Sequence, residues 1–170
     1  VIDSSEASVL IPEYYWYAWD GHKPSKESIL ENVRDVTEYI KTQKYTSVIV
    51  VGESLCSWVA SYHTFLLSPQ KLALISPFSS MEDVARTRFW MYPMIPISEN
   101  YESIKYLENY TEQLLIIHWD SDDVVSPFLS KKLLDTVPSN NKKRILIPWW
   151  VHEYIWSAPW VRDMIRMFIK

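Results

Sequence analysis

Glycine and cysteine are both scarce in this chain of 170 residues, and each scarcity narrows what the protein can be. Only 2 residues are glycine, where about 7% is usual, so a glycine at a predicted turn is there for a local reason. The single cysteine, Cys56, excludes a disulfide within the chain and favours a reducing compartment. No secretory signal pattern opens the sequence, so the cytoplasm is the default expectation for its location.

Basic clusters and long apolar runs are also missing. The chain carries 17 Lys and Arg against 21 Asp and Glu, a net charge of -4, and has no basic stripe, which argues against a nucleic-acid partner. No apolar run reaches the roughly 18 residues of a membrane-spanning helix, so no membrane span is predicted. With 48% hydrophobic residues, residues 1–170 are expected to form a single globular domain with its own core.

Apolar strand-like segments alternate with segments of helical periodicity along most of the chain. The predicted strands are residues 9–15, 47–51, 72–78, 114–119 and 143–150. The predicted helices are residues 25–42, with Ser25 or Ser28 as N-cap, 54–67, 127–137 and a last one after Pro159; residues 79–110 are interpreted as a short cap. Because strands that alternate with helices imply a parallel sheet, we predict an α/β fold. It is a three-layer sandwich in which a mostly parallel sheet of about five strands carries helices on both faces.

The corner Gly52-Glu53-Ser54-Leu55-Cys56 joins a predicted strand to a predicted helix. A sharp turn of this kind lifts a serine hydroxyl clear of the backbone and aims the following N–H groups toward an oxyanion. Such a turn needs small residues two positions before and after the serine, and Gly52 and Cys56 occupy those positions. Ser54 is therefore a candidate nucleophile; the alternative is that it only caps the helix.

Two further loops follow predicted parallel strands and carry the partners that a serine nucleophile needs. Asp120, Asp122 and Asp123 lie in one loop, where a carboxylate can orient a histidine through its ring N–H. His152 follows the last strand and completes the chain order Ser, Asp, His. Because the carboxyl ends of parallel strands lie at one edge of a sheet, these loops are expected to converge there.

Other interpretations of these loops stay open on the residues alone. The aspartates can instead form hydrogen bonds within their own loop. His118, Asp120 and Asp122 have the residue types of a metal site, although a histidine at the end of an apolar strand is more typical of a core. Cys56 is a second, weaker candidate nucleophile, because it is expected to point along the start of the helix.

From about residue 9 onward the chain resembles the α/β-hydrolases, most closely the small esterase, thioesterase and serine-peptidase-like branch. GESLCSWVA resembles the branch's nucleophile elbow G-x-S-L-G-G-x-x-A, LLIIHWDSDDVVS resembles L-I-I-H-G-x-x-D-x-x-V-P, and IPWWVHEYIW resembles the segment bearing the catalytic histidine. The resemblance places Ser54 on the nucleophile, Asp122 on the acid and His152 on the base. It places Leu55 on the residue whose N–H gives half of the oxyanion hole, and it implies no metal or organic cofactor.

The chain departs from the family pattern in two ways. Tryptophan stands at several positions where the family tends to have glycine, namely Trp16, Trp58, Trp119 and one of Trp149 and Trp150, and Ala18 replaces another. Where the family glycine has positive φ, a tryptophan costs strain or changes the loop. The family also has strands before the one predicted at residues 9–15. One of them lies next to the strand at 47–51 and carries the second oxyanion donor, and residues 1–8 cannot supply both.

Three hypotheses about function follow from these patterns. The first is a serine hydrolase that cleaves an ester, thioester or amide of a small acyl-containing substrate through an acyl-enzyme. The second is a catalytically impaired hydrolase-fold protein that serves as a binding or assembly subunit, with a protein partner completing the open sheet edge. The third, weaker interpretation is that the Trp- and Tyr-rich loops recognise a sugar or a quaternary amine.

Overall fold

Four strands and six helices make up the part of the chain that the structure describes. The computed structural model describes residues 8–14, 25–89, 97, 99–149, 152 and 159–170. The strands are β1 (Ile49–Glu53), β2 (Lys71–Ile75), β3 (Gln113–Trp119) and β4 (Lys142–Ile147). The helices are α1 (Lys26–Thr42), α2 (Leu55–Leu67), α3 (Met81–Arg88), α4 (Ser103–Leu107), α5 (Pro127–Thr136) and α6 (Pro159–Ile169). None of these described helices combines the length and the apolar composition needed to cross a membrane.

The four strands form one parallel sheet in the order β1-β2-β3-β4. Glu53 is in register with Ile75, Ile75 with Ile117, and Ile117 with Ile145. One row across the sheet therefore joins positions near the carboxyl ends of all four strands. The loops that follow the strands share this edge, as the sequence predicts.

Alternate residues of the central strands pack against opposite helical layers. One face packs against α6 in a cluster that includes Ala73, Ile117 and Val161. The other face packs against α2 and α5 in a cluster that includes Leu74 and Leu133. Each fully buried aliphatic side chain of this kind contributes about 1.5–3 kcal/mol relative to an exposed one. The predicted three-layer sandwich with helices on both faces is confirmed.

Helix α1 packs against α2, the helix that follows Ser54. Ser25 is its N-cap: the Ser25 hydroxyl accepts from the Ser28 N–H, and the Ser28 hydroxyl accepts from the Ser25 N–H, both at 3.1 Å. A reciprocal cap of this kind satisfies two N–H groups that the helix cannot pair itself. Ile29 and Val33 of α1 then pack with Trp58 of α2, so the helix that follows Ser54 is held from outside as well as from the sheet.

The strand predicted at residues 9–15 is wrong over the residues that the structure describes there. Residues 8–14 form neither strand nor helix, and Ile11 is 85% exposed. A strand needs a neighbour for its N–H and C=O groups, and among the described residues β1 is paired on one side only, with β2. The described sheet therefore has four strands, where about five are predicted.

Other predicted boundaries shift by a few residues. Strand β1 begins at Ile49 and ends at Glu53, two residues later at each end than predicted. Strand β2 ends at Ile75, because Ser76 has φ 44° and turns the chain out of the strand. Helices α3 and α4 lie in the segment interpreted as a cap, whose residues 90–96 and 98 are outside the described residues. The loop with Trp16 and Ala18 is likewise outside them.

Candidate active site

Ser54 lies at a sharp turn between β1 and α2. Its backbone has φ 50° and ψ -121°, a region that residues other than glycine rarely adopt. Its N–H donates to the carbonyl of Ile75 at 2.9 Å, which ties the strained turn to the neighbouring strand. The Ser54 side chain makes no capping hydrogen bond to α2. The helix-cap interpretation is therefore wrong, and the hydroxyl is free to meet other groups at the sheet edge.

Gly52 is needed because α2 approaches β1 very closely. A Cβ atom at position 52 would lie 2.6 Å from the Cβ of Ala60 and closer still to the carbonyl oxygen of Cys56. The Cys56 side chain is not part of this contact: its thiol is exposed and lies 3.3 Å from the hydroxyl of Tyr14. A small residue is therefore strictly required at position 52, before the serine, and less so at position 56, after it. This is why a cysteine fits at position 56, where the family usually has glycine.

His152 contacts both Ser54 and Asp122, although 98 residues separate the serine from the histidine. The Ser54 Oγ lies 2.9 Å from His152 Nε2, and His152 Nδ1 lies 2.8 Å from Asp122 Oδ2. The carboxylate can only accept, so Nδ1 carries the hydrogen and Nε2 is left to accept from the serine hydroxyl. This is the arrangement in which a histidine acts as a base toward a serine.

Asp122 is fixed by donors on both of its oxygens, and its side chain is wholly buried. Oδ1 accepts from the N–H groups of Val124 (3.0 Å) and Val125 (2.7 Å). Oδ2 lies 2.8 Å from His152 Nδ1 and 3.3 Å from His118 Nε2. Burial alone would raise the pKa of Asp122, but hydrogen bonds from the two histidine rings and from the Val125 N–H outweigh it and hold this pKa well below its usual range. The carboxylate therefore stays ionised at neutral pH.

His152 has the opposite pKa shift. Its hydrogen bond to Asp122 raises its pKa, partial burial opposes this, and the negative charges of Asp122, Glu53 and Asp123 raise it further. The imidazolium form is thereby stabilised next to the serine. A histidine that takes up a proton during a reaction is a stronger base when nearby negative charges stabilise its protonated form.

Solved structures with the same architecture include esterases and a lipase, whereas no family model matches the chain. An α/β-hydrolase from a lagoon-sediment metagenome (Mar Chica, Morocco) has a TM-score of 0.65 at 18% identity, covering 90% of this chain and 73% of that one. The esterase domain of a Rhodothermus marinus protein has a TM-score of 0.64 at 13% identity, and the match covers 81% of this chain and 66% of that domain. The Paleococcus ferrophilus monoacylglycerol lipase has a TM-score of 0.59 at 12% identity, and the match covers 86% of this chain and 76% of the lipase. The chain has the α/β-hydrolase fold.

Two curated relatives come from Mycobacterium tuberculosis, and both carry the name of uncharacterized proteins. Each is 28% identical over 148 residues, which cover 83% of this chain and 51% of the relative. This α/β-hydrolase-fold chain thus spans about half the length of the curated relatives that it matches.

Leu55 occupies the position that the α/β-hydrolase resemblance assigns to an oxyanion donor. It is the first residue of α2 and directly follows Ser54. The first N–H groups of a helix have no acceptor within the helix, and the helix dipole makes its N-terminus favourable for a negative charge. The backbone of Leu55 can therefore donate to an oxygen that becomes negative next to Ser54, while its side chain is 45% exposed.

The tryptophans that replace glycines of the α/β-hydrolase pattern have two different surroundings. Trp58 and Trp119 are wholly buried and pack edge-on against Tyr101 (ring centroids 4.7 Å apart) and Trp160 (6.1 Å), respectively. Trp149 is 90% exposed and has φ 71°, so this position carries the predicted backbone strain. Positions 16 and 150 lie outside the described residues. The aromatic partners explain how Trp58 and Trp119 are accommodated. Nothing in the structure explains why tryptophan, rather than glycine, stands at these positions.

The other two aspartates of the loop after β3 do not contact His152. Asp120 Oδ1 accepts from the backbone N–H of Trp149 (3.0 Å) and from the hydroxyl of Ser121 (2.8 Å). Asp123 is exposed. Asp120 thus links the loop after β3 to the loop after β4, and it supports the strained residue that precedes the histidine loop.

His118 is a buried core histidine, as its place at the end of an apolar strand indicates. Its contact with Asp122 was not predicted; the four-residue spacing between them is the only sequence signal for it. Within the described residues, no three His, Cys, Asp or Glu side chains are grouped so that they could hold a metal ion. The metal interpretation of His118, Asp120 and Asp122 therefore finds no support.

Proposed function

We propose that this chain is a serine hydrolase that cleaves an ester, thioester or amide bond through a covalent acyl-enzyme. The observation that carries the proposal is the continuous hydrogen-bonded series from the Ser54 hydroxyl through His152 to Asp122. The esterase and lipase structures with the same fold support the same class of chemistry. Ser54 is the nucleophile, His152 the general base and acid, and Asp122 the group that orients His152.

The steps follow from the positions of the protons. His152 Nε2 takes the hydroxyl proton as Ser54 Oγ attacks the substrate carbonyl carbon. The carbonyl oxygen becomes negative and accepts the N–H of Leu55. The protonated His152 then gives its proton to the leaving alcohol, thiol or amine, and the acyl group stays on Ser54. Water then attacks the acyl carbon while His152 takes its proton, and His152 returns that proton to Ser54 Oγ as the acyl group leaves as a carboxylic acid. Asp122 remains ionised throughout and stabilises the imidazolium.

Covalent labelling with a fluorophosphonate probe tests the nucleophile directly. We expect the probe to attach to Ser54, because its hydroxyl lies 2.9 Å from the His152 ring nitrogen that can take its proton. The Ser54→Ala variant should show no labelling, and peptide mass spectrometry should place the adduct on residue 54 of the wild type. Ser47→Ala removes an exposed serine just before β1 and is the matched control. Equal labelling of wild type and Ser54→Ala would overturn the proposal.

The pH dependence of kcat/KM should report the raised pKa of His152. His152 works as a base only when it is neutral, so activity rises as the pH passes upward through its pKa, and this limb should lie above pH 6.5, about the usual histidine value. The negative charge of Asp123 is one of the causes of the raised pKa of His152. Asp123→Asn should therefore move the limb to lower pH, and only by a small step because Asp123 is exposed. A limb that moves to higher pH in this variant would contradict the electrostatic account.

The uncovered strand β1 supports a second candidate, a binding or assembly function. Val51 is in register with Ala73, which packs under α6, yet Val51 is 42% exposed. Among the described residues, β1 therefore lacks a cover on that face as well as a neighbour at its outer edge. An open edge of this kind accepts a further strand. We propose that a protein partner adds this strand and, with it, the second oxyanion donor that the resemblance places there.

The two candidates differ in what the isolated chain does. Without a second donor, transition-state stabilisation falls by about 2.7–4 kcal/mol, so assembly through β1 predicts little turnover of p-nitrophenyl acetate by the monomer. It also predicts concentration-dependent self-association through the open edge in sedimentation experiments, weakened by Val51→Lys, because a charge beside an edge opposes pairing. Rapid turnover by a monomer would rule out the assembly function.

A further inference from the structure

His118 contacts the loop that carries Asp122 as well as Asp122 itself. It precedes the last residue of β3, and its side chain is wholly buried. Its Nε2 lies 2.9 Å from the carbonyl oxygen of Val125 and 3.3 Å from Asp122 Oδ2. Its Nδ1 is buried and has no hydrogen-bond partner among the described residues.

These contacts determine where the ring hydrogen is. Nε2 faces two oxygens that can only accept, so the hydrogen must be on Nε2. An N–H at Nδ1, in the other tautomer or in the protonated ring, would be buried without an acceptor, which is unfavourable. His118 is therefore the tautomer with a single N–H. That N–H points mainly to the nearer Val125 carbonyl and has Asp122 Oδ2 as its longer, second acceptor.

The hydrogen bond to Val125 also acts on Asp122 from the other side. The N–H groups of Val124 and Val125 hold Asp122 Oδ1, and the Val125 carbonyl that His118 binds belongs to the same short loop. His118 therefore anchors the donors of Oδ1 and contacts Oδ2 directly. Without it, Oδ2 would keep the contact with His152 and, within the described residues, no other side-chain donor.

We propose that His118 is a positioning residue that holds Asp122 Oδ2 in line with His152 Nδ1. Its side chain is wholly buried and contacts Asp122 and the Val125 carbonyl, so it acts through Asp122. The inference rests on the proposed hydrolase for its effect on turnover, but the positioning itself concerns only contacts within the folded protein. The two parts can therefore be measured separately.

The second buried histidine provides a matched control. His63 is 8% exposed, and its Nδ1 lies 3.1 Å from the Thr37 hydroxyl, between α2 and α1. Its partner is a neutral hydroxyl far from the loop after β3. His63→Leu thus removes a buried histidine of the core without changing any donor of Asp122.

The first measurement is magnetic resonance on protein with ¹⁵N-labelled histidine. Wild type should show His118 hydrogenated on Nε2 only, and an exchange-protected, strongly downfield proton between His152 Nδ1 and Asp122. In His118→Leu this proton should move upfield and exchange faster, whereas His63→Leu should leave it unchanged. His118→Gln can place an amide N–H near the lost Nε2–H and should restore most of the signal. A hydrogen on Nδ1 of His118, or an unchanged His152 proton in His118→Leu, would overturn the proposal.

The second measurement is steady-state turnover of p-nitrophenyl acetate. We expect His118→Leu to lower kcat by about tenfold, the effect of losing one hydrogen bond to a charged group, with KM nearly unchanged, because the His118 side chain is wholly buried. His118→Gln should recover part of the loss, and His63→Leu should retain the wild-type kcat. A change confined to KM, or an equal loss in His63→Leu, would overturn the proposal. If wild type and Ser54→Ala were equally inactive, the proposed hydrolase would fail, and the resonance experiment would still decide the positioning role.

Discussion

Replacing Ser54 with alanine is expected to lower kcat on p-nitrophenyl acetate by roughly a factor of 10⁶. The change removes the hydroxyl that His152 contacts, so no acyl-enzyme can form on residue 54. Folding should change little, because the Ser54 side chain makes no hydrogen bond to α2. Initial-rate measurement of p-nitrophenolate release, corrected for the spontaneous reaction, provides the test.

Two observations make the Ser54 result interpretable. The exposed Ser47→Ala variant should keep the wild-type rate, which excludes a general effect of removing a serine near β1. The free energy of unfolding of Ser54→Ala, measured in urea, should match the wild type within the usual 10–15% error. Retention of more than a tenth of the wild-type kcat by a folded Ser54→Ala protein would exclude Ser54 as the nucleophile.

Replacing Asp122 with asparagine should lower kcat by about 10⁴-fold, the loss known for the same change in serine proteases. An asparagine can still accept from the Val124 and Val125 N–H groups through its oxygen. Its NH₂ group would then face the N–H of His152 and force the opposite tautomer, with the hydrogen on Nε2. His152 could then no longer accept the serine proton. Kinetics together with the histidine tautomer, read from ¹⁵N shifts, checks both parts.

Asp122→Asn should also change how stability depends on pH. The pKa of Asp122 is lower in the folded chain than in the unfolded chain, so ionisation stabilises the fold above the unfolded value of about 3.9. That contribution is lost as the pH falls toward the lower folded value. The stability difference between wild type and Asp122→Asn should therefore shrink in acid. The exposed Asp123→Asn variant is the control, and a difference that stays constant from pH 7 to pH 3 would contradict this linkage.

The central sheet could be predicted from the sequence because its strands are continuous apolar runs between recognisable helix starts. β3 and the N-cap Ser25 are found within one residue of their predicted positions. The strand expected at residues 9–15 failed for a different reason. Apolar residues mark a segment that can pair, but a strand forms only where a neighbour offers N–H and C=O groups, and no local pattern reveals whether that neighbour exists.

In the candidate site too, local sequence patterns predicted some residues, whereas contacts between distant residues became visible only in the folded structure. Ser54, Asp122 and His152 could be proposed because each follows a parallel strand, and parallel strands end at one edge. The contact between His118 and Asp122 could not, because an apolar run ending in histidine looks the same whether or not the ring meets a carboxylate. The aromatic partners of Trp58 and Trp119 were equally hidden, since Tyr101 and Trp160 lie more than forty residues away along the chain.

The exposed thiol of Cys56 has a practical consequence for inhibitor profiling. It sits two residues after Ser54 on the first turn of α2, so an alkylating reagent such as iodoacetamide or a maleimide would attach its adduct within one helical turn of Ser54. Such an adduct would obstruct substrates sterically and give the inhibition pattern of a thiol-dependent enzyme. Cys56→Ser should remain active and become insensitive to these reagents, which distinguishes a blocked entrance from a cysteine nucleophile.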